Sequence, residues 1–248
     1  MEQLLEKLRN YSRFLELESG IPYWESQIPE LKDRLSEMEW NQQQKETELL
    51  SLQEPNFFQR IFGRAEEKKE RISKQIRELT AAKTALRWEL DGLEKQVEAG
   101  KKELARLAGS REAYEAARRD TVLSTAQESR LMMEQITAFA PVALETAWHV
   151  LAALEDARPW MQKDALTTRV GQDNRKMEYL ANAESAAGRL AEILTALPEG
   201  IATVGSYLRA PREYIYGVTS EFKQLDRLEQ AQEQIRTVRT QLKLILGE

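Results

Sequence analysis

His149 is the natural place to look for catalytic or metal chemistry, because it is the only histidine among the 248 residues. Glu145 precedes it by one helical turn. A metalloprotease helix, however, needs two histidines on one face, and a di-iron bundle needs two Glu-x-x-His pairs with further carboxylates. The sequence contains neither pattern. Trp148 and Val150 flank His149 in the most apolar part of the chain, so we interpret it as a hydrogen-bonded histidine of the core.

Other residue types also fail to form a recognisable catalytic pattern. The chain has no cysteine, which excludes disulfides, thiolate metal sites and a cysteine nucleophile. Its 41 Asp and Glu residues would bring several carboxylates together in any helical bundle, but no pair is singled out. Segment 63–69 lacks the second glycine and the Lys-Ser/Thr ending of a phosphate-binding loop. We predict a non-enzymatic protein with no catalytic residues, metal or cofactor. The alternative is an enzyme with a carboxylate site in the C-terminal half.

Composition and charge favour a helical protein that does not bind nucleic acid. Charged residues make up 31% of the chain, and only 11 glycines and seven prolines interrupt it. This composition is typical of long helices and predicts an all-α fold. The net charge of −5 argues against a general polyanion-binding protein, although residues 212–216 place Arg beside two Tyr. We therefore expect no nucleic-acid partner.

No segment predicts export or a membrane span. Residues 1–9 are charged and amphipathic, without the apolar core of a signal peptide. The most apolar stretch, residues 138–154, is interrupted by Pro141, Glu145 and His149 and is short for a bilayer span. We expect a cytoplasmic protein that is soluble or attached peripherally to a membrane.

Two stretches carry residues spaced alternately by three and four, the spacing of coiled-coil positions a and d. We call these positions the seam. In the first stretch the seam consists of Ile28, Leu31, Leu35, Met38, Gln42, Lys45, Leu49 and Leu52. In the second it consists of Ile72, Ile76, Leu79, Lys83, Leu86, Leu90, Leu93, Val97, Gly100, Leu104 and Leu107. The pattern predicts an antiparallel coiled-coil hairpin whose facing residue numbers sum to 121, so that Leu35 faces Leu86.

Gln42, Lys45 and Lys83 make the middle of the seam polar. One interpretation is a weak zone that fixes the register of the hairpin or admits a partner helix. The interpretation that we favour is that the lysine stems lie along the seam and carry their ammonium groups to water.

Between the arms, residues 55–63 form an unusually apolar turn, which we call the tip. Its large apolar residues are Phe57, Phe58, Ile61 and Phe62. Arg60 lies within the tip and Arg64 directly follows it, and we include both in the predicted site. From Arg60 to Lys74, six Lys or Arg outnumber three Glu. An apolar turn beside positive charge suits docking into a groove of a protein partner. We predict that presenting the tip to such a partner is the function of this chain.

Two alternatives stay open for the tip. Apolar residues next to basic ones also suit insertion into an anionic membrane interface, which would make the chain a peripheral membrane protein. In the other alternative, the four apolar residues fold back and cap Leu49, Leu52 and Ile72. The sequence favours the protein partner and the cap equally, and membrane insertion less.

The chain divides by pattern into an N-terminal helix and hairpin, residues 1–109, and a C-terminal helical bundle, residues 110–248. We expect Ser19-Gly20 to end the first helix, and Pro22 and Pro29 to kink or break the next helical segment.

Four helices are predicted for the C-terminal bundle, at residues 111–140, 141–158, 176–197 and 212–246. The second is apolar on nearly all sides and should lie at the centre of the bundle. The last carries a broad apolar stripe, which predicts packing along the hairpin base or against a second copy. We therefore also expect a homodimer.

Overall fold

The computed structural model describes residues 1–52, 65–166, 174–198 and 221–248. The regular structure in these ranges is helical, with no β-strand among the described residues. The helices are α1 Glu2–Ser51, α2 Ala65–Arg106, α3 Ser110–Asp120, α4 Thr125–Leu166, α5 Asn174–Ala196 and α6 Glu221–Leu246. The predicted all-α class is confirmed.

The chain separates into two compact units. One contains Met1–Tyr23 and Gly100–Glu248, and the other, which we call the hairpin unit, contains Trp24–Ala99. The sequence pattern predicts a boundary at residue 109, whereas this division places residues 1–23 and 100–109 in the same unit as the C-terminal helices. Leu4 and Leu8 of α1 belong to the same buried core as those helices.

Helix α1 continues through Gly20, Pro22 and Pro29, so the predicted end at Ser19-Gly20 is wrong and neither proline breaks the helix. A proline inside a helix costs about 3 kcal/mol. Leu17 and Ile21 are 1% and 4% exposed, and burying each such side chain is worth roughly 1.5–3 kcal/mol. Burial on this side of α1 therefore offsets the proline penalty.

Helix α4 is the centre of the larger unit, as the apolar stretch 141–158 predicts. Its residues Phe139, Ala143, Val150 and Leu154 have no exposed surface. Helices α1, α3, α5 and α6 all contribute residues to the cluster around it. Alanines on α4 let the neighbouring helices approach closely, which explains why so apolar a helix is stable in this position.

Helix α4 also runs through Pro141, so the predicted helix boundary at this proline is wrong. The hydroxyl of Ser12 donates a hydrogen bond to the carbonyl oxygen of Ala138 at 2.7 Å. Proline weakens the hydrogen bonding of the turn before it, and Ser12 supplies a donor from α1 to that turn.

The predicted helix 111–140 is in fact two helices, α3 and α4, separated by residues 121–124. Thr121 is extended, with φ −96° and ψ 114°. The Ser124 amide donates to Gln127 Oε1 at 2.9 Å, and the Gln127 amide donates back to Ser124 Oγ at 3.4 Å. This reciprocal pair is a capping box, and it fixes where α4 begins.

The apolar stripe of the last helix is covered within the chain. Leu228, Ile235, Val238 and Leu242 of α6 are 0–2% exposed and belong to the core around α4. These four residues are therefore covered without the hairpin base or a second copy, contrary to what the stripe predicts. Helix α6 therefore gives no reason to expect a homodimer.

In the hairpin unit, α1 and α2 are antiparallel. Side-chain contacts between them connect successively later residues of α1 to successively earlier residues of α2. These contacts are Lys32–Glu94 at 2.8 Å, Glu39–Arg87 at 2.6 Å, Gln42–Lys83 at 2.7 Å and Glu48–Lys68 at 3.0 Å. Contacts in this order occur only between helices that run in opposite directions.

The predicted seam positions are the shielded ones in the hairpin unit. Leu31, Leu52, Ile72, Leu86 and Val97 are buried, and most of the other seam residues are half-buried. Most of the remaining positions are exposed. The interlocking of side chains in heptad layers that sum to 121 stays a prediction.

The polar centre of the seam is satisfied by hydrogen bonds. Lys83 Nζ donates to Gln42 Oε1 at 2.7 Å, and Lys45 Nζ lies 3.3 Å from Glu48 Oε2. All three seam residues are half-buried. Because each polar group here has a partner, the layer fits a pair of helices whose long side chains reach polar groups at the edge of the seam.

Candidate interaction site at the hairpin end

The ends of α1 and α2 lie next to one another where residues 53–64 connect them. Lys68 Nζ is 3.0 Å from Glu48 Oε1, which joins the last turns of α1 to the first turns of α2. Leu52 and Ile72, the seam residues at this end, are 5% and 3% exposed. The helix pair is therefore held together up to the residues that flank the tip.

The predicted site itself lies outside the described residues. This applies to all six of its members: Phe57, Phe58, Arg60, Ile61, Phe62 and Arg64. The same is true of the aromatic-basic run at residues 212–216. What the structure adds concerns the charge and packing of the helix turns on either side of the tip.

The basic charge that follows the tip is partly neutralised within the hairpin unit. Three of the lysines that the sequence places there lie within ion-pair distance of carboxylates. The pairs are Lys68–Glu48 at 3.0 Å, Lys69–Glu66 at 3.0 Å and Lys74–Glu78 at 3.9 Å. Two of these carboxylates, Glu48 and Glu78, lie outside segment 60–74, in which six Lys or Arg outnumber three Glu. The excess of positive charge near the tip is thus smaller than the linear sequence suggests.

His149 is buried, as predicted, at 4% exposure. Its ring stacks on Tyr23 with centroids 4.2 Å apart and an angle of 11° between the planes. Burial lowers the pKa of His149 to about 4, and the Arg189 guanidinium adds to this effect. The imidazole is therefore neutral at neutral pH, because burial removes the water that would stabilise its charged form.

Two hydroxyl groups, of Ser19 and Thr146, lie in line beside the imidazole. Thr146 Oγ1 donates to the Val142 carbonyl oxygen at 2.8 Å, and Ser19 Oγ lies 2.7 Å from Thr146 Oγ1. Since Thr146 has given its proton to Val142, Ser19 is the donor to Thr146. Ser19 Oγ also lies 3.5 Å from His149 Nδ1, at the outer limit of hydrogen-bond length.

The direction of the hydrogen bond from Ser19 to Thr146 argues against a serine nucleophile. A catalytic serine donates its proton to the histidine that activates it, whereas Ser19 donates to Thr146. Glu145 Oε1 is 4.0 Å from His149 Nε2, beyond hydrogen-bond distance. The sequence pattern located His149 but missed Ser19 and Thr146, because residues 127 and 130 positions apart meet only through packing of α1 on α4.

A shallow groove of about 660 Å³ in the larger unit is lined partly by carboxylates. Its lining comprises Arg158, Asp226, Glu229, Gln230, Gln232, Glu233 and Arg236. Arg158 Nη2 donates to Glu229 Oε1 at 3.2 Å and to Gln232 Oε1 at 3.1 Å. The carboxylates come from one helix, α6, and Glu229 is engaged by Arg158. Nothing in this arrangement sets a carboxylate pair apart for acid-base chemistry.

Two further properties of the described residues bear on function. No group of three or more His, Asp or Glu side chains in the described ranges could hold a metal ion. The helical segment Thr125–Gln162 is long and apolar enough to cross a membrane by length and composition alone, whereas the sequence pattern predicts no such segment. Half of its most apolar window is buried inside the bundle, and the core helix of a soluble bundle has the same composition.

Comparison with protein-family models, with curated proteins and with solved structures found no match. Function must therefore be inferred from the residues themselves.

Proposed function

We propose that the chain is a non-enzymatic interaction protein that presents the tip, residues 55–63, to a protein partner. The proposal is supported chiefly by the placement of four large apolar residues between two helix ends that a 3.0 Å ion pair, Glu48–Lys68, holds side by side. Each large apolar side chain left in water forfeits roughly 1.5–3 kcal/mol. Four of them in nine residues suit a binding surface better than a solvated turn.

A protein groove is favoured over a membrane surface by the charge around the tip. An anionic bilayer attracts Lys and Arg side chains that are not neutralised by a carboxylate. Each such residue near the surface contributes about 1 kcal/mol to the binding free energy. Lys68, Lys69 and Lys74 each have a carboxylate within 4 Å. This local pairing reduces the electrostatic attraction on which membrane insertion depends, while an apolar groove on a protein needs no net charge.

The burial of Leu52 and Ile72 at this end is also what the cap alternative expects. The two alternatives differ in what substitution of the tip does. For a binding surface, loss of the apolar residues abolishes capture of a partner and leaves the thermal transition unchanged. For a cap, the same loss lowers the melting temperature.

The test is a pull-down from a lysate of the source cells with the full chain and the double variant Phe58→Ser, Phe62→Ser. The matched control is Met133→Ser, Leu244→Ser, which removes two exposed apolar side chains, at 62% and 72% exposure, from the larger unit. The partner should be captured by the wild type and the control but not by the tip variant. Circular dichroism melts of all three proteins should coincide.

Flotation with vesicles of phosphatidylcholine and phosphatidylserine separates the remaining alternatives. If the wild type floats with these vesicles and the tip variant does not, the chain is a peripheral membrane protein and the proposal is wrong. A clear drop in the melting temperature of the tip variant, with partner capture intact, would instead identify the four residues as a cap.

A further inference from the structure

The outer face of α2 in the hairpin unit carries an exposed tryptophan. Trp88 is 72% exposed and lies two residues after the seam residue Leu86, on the side of α2 opposite α1. The same face carries three small, exposed residues at helical spacing, Ala81, Ala85 and Gly92. A Cβ atom added at Gly92 would meet nothing within 4 Å. Trp88 therefore lies beside a strip of helix surface that carries only small, uncharged residues.

Charge is divided along α2 at the position of Trp88. On the outer face, residues 71–78 carry Arg71, Lys74 and Arg77 against Glu78, and residues 91–98 carry Asp91 and Glu98 against Lys95. The other Lys and Arg between residues 68 and 87, except Lys69, and Glu94 contact α1. If two copies of α2 lie antiparallel across a two-fold axis near Thr84 and Ala85, the basic half of each faces the acidic half of the other. This is the self-complementary arrangement that an isologous dimer requires.

We propose that the outer face of α2 is a self-association surface, with a second copy of this chain as its occupant. Facing residue numbers sum to about 169 across the axis. Trp88 of one copy then covers Ala81 of the other, and each Ala85 lies next to the axis. A large aromatic against a small residue fills space without displacing the backbone.

The ion pairs of this register flank the central strip. Arg71 faces Glu98 of the second copy, and Arg77 lies one residue from the position opposite Asp91 of the second copy. Glu78 falls opposite Asp91 and lies 3.9 Å from Lys74 of its own helix. Asp91 is also bound to Lys95 of its own helix at 2.7 Å, so the second copy adds an arginine to an existing pair. The register also sets Lys74 opposite Lys95, and each of these lysines already lies within 4 Å of a carboxylate of its own helix, which reduces their repulsion.

This surface is independent of the tip and of the proposed function. It also replaces α6 as the basis for a homodimer, since α6 is covered within the chain. The contact follows about 40 Å of helix, from Arg71 to Glu98, at the 1.5 Å rise of each residue. A single helix pair of this length buries less than a standard protein interface, so we expect a dimer that dissociates in the micromolar range.

Sedimentation velocity of the full chain, from low to high micromolar concentration, is the first test. The wild type should shift from a species of 28.6 kDa to one of twice that mass. Trp88→Ala should weaken the dimer by about thirtyfold or more, the loss expected for an aromatic hot spot. Trp40→Ala is the matched control, because Trp40 is a similarly solvated tryptophan of α1, at 60% exposure, and should leave the dimer unchanged.

Charge reversal tests the register. Arg77→Glu and Asp91→Arg should each weaken the dimer by roughly threefold to tenfold, and the double variant should recover most of the loss. Within one chain these residues are 14 positions apart, or about 21 Å along the helix. Recovery in the double variant therefore reports contact between copies rather than repair within one copy.

The absence of cysteine from the chain allows a direct check of the axis. Ala85→Cys should form a disulfide-linked dimer on mild oxidation, whereas Gln43→Cys, at an exposed position of α1, should not. A wild type that is monomeric at all concentrations would overturn the proposal. So would a dimer that survives Trp88→Ala and is lost in the Phe58→Ser, Phe62→Ser variant, since that result would assign self-association to the tip.

Discussion

Acidification should destabilise the larger unit through His149, which is the only histidine in the chain and is 4% exposed. Burial lowers its pKa from 6.5 to about 4, with a further contribution from the Arg189 guanidinium. Because the folded-state pKa is the lower one, the folded protein binds fewer protons than the unfolded chain between these values. The contribution of His149 to the free energy of unfolding is complete above pH 6.5 and is lost as the pH falls toward 4.

The magnitude follows from the difference between the two pKa values. That difference is about 2.5, and each unit corresponds to about 1.4 kcal/mol, so the loss is about 3 kcal/mol. Two carboxyl groups act in the opposite direction, because burial raises the pKa of Glu18 and of Glu145 and thereby favours the folded state as the pH falls. The effect of His149 must therefore be measured as a difference between two proteins that share these carboxyl groups.

The measurement is urea unfolding of the wild type and of His149→Phe at several pH values from about 7.5 to about 4. Phenylalanine keeps an aromatic ring against Tyr23 and cannot titrate. The free energy of unfolding of the wild type should fall relative to the variant by about 3 kcal/mol across this range. Glu145→Gln in both proteins controls for the carboxyl group 4.0 Å from His149 Nε2.

Proton NMR checks the same reasoning without unfolding the protein, because the chain contains one imidazole. Its ring resonance should not titrate above about pH 5. A pKa near 6.5 in the folded protein, or an unfolding free-energy difference that does not change with pH, would refute the argument.

Three further predictions concern stability and register. Leu154→Ala should lower the free energy of unfolding by about 2–5 kcal/mol, since this residue has no exposed surface, and a loss below half a kcal/mol in denaturant titrations would contradict its core position. Replacing Ser124 with Ala should cost about 0.5–2 kcal/mol by removing the cap of α4, and Gln127→Ala should give a smaller loss in the same thermal melts. Cysteines placed at Leu35 and Leu86 should form a disulfide rapidly if the seam register sums to 121, whereas slow or absent cross-linking on non-reducing gels would show a different register.

Periodicity predicted the parts of the fold that depend on local pattern. Alternating spacings of three and four located the shielded positions of the hairpin unit, because a helix buries the same face wherever such spacing continues. The apolar character of residues 141–158 on nearly all sides located the centre of the larger unit, because such a helix must be surrounded by others. The buried state of His149 agrees with its position in the most apolar part of the chain, although its neighbour Trp148 is 42% exposed.

Helix boundaries were predicted less well, because the effect of a proline or glycine on a helix depends on the packing around it. Pro22 and Pro141 lie inside continuous helices since packing of residues such as Ile21 compensates for the missing hydrogen bond. The start of α4, by contrast, is marked in the sequence, because Ser124-x-x-Gln127 is a capping-box signature.

The sequence by itself determined that this is an all-α protein with one heptad-patterned helix pair and one apolar central helix, because those features depend on spacing along the chain. Only the tertiary structure decided that α6 is covered by α4 and that Ser19 donates to Thr146 beside His149. It also decided that lysines after the tip pair with carboxylates, including Glu48 and Glu78, which lie outside segment 60–74. These are contacts between residues far apart in the sequence or on different turns of a helix. Their formation depends on how the helices pack, which spacing along one helix does not specify.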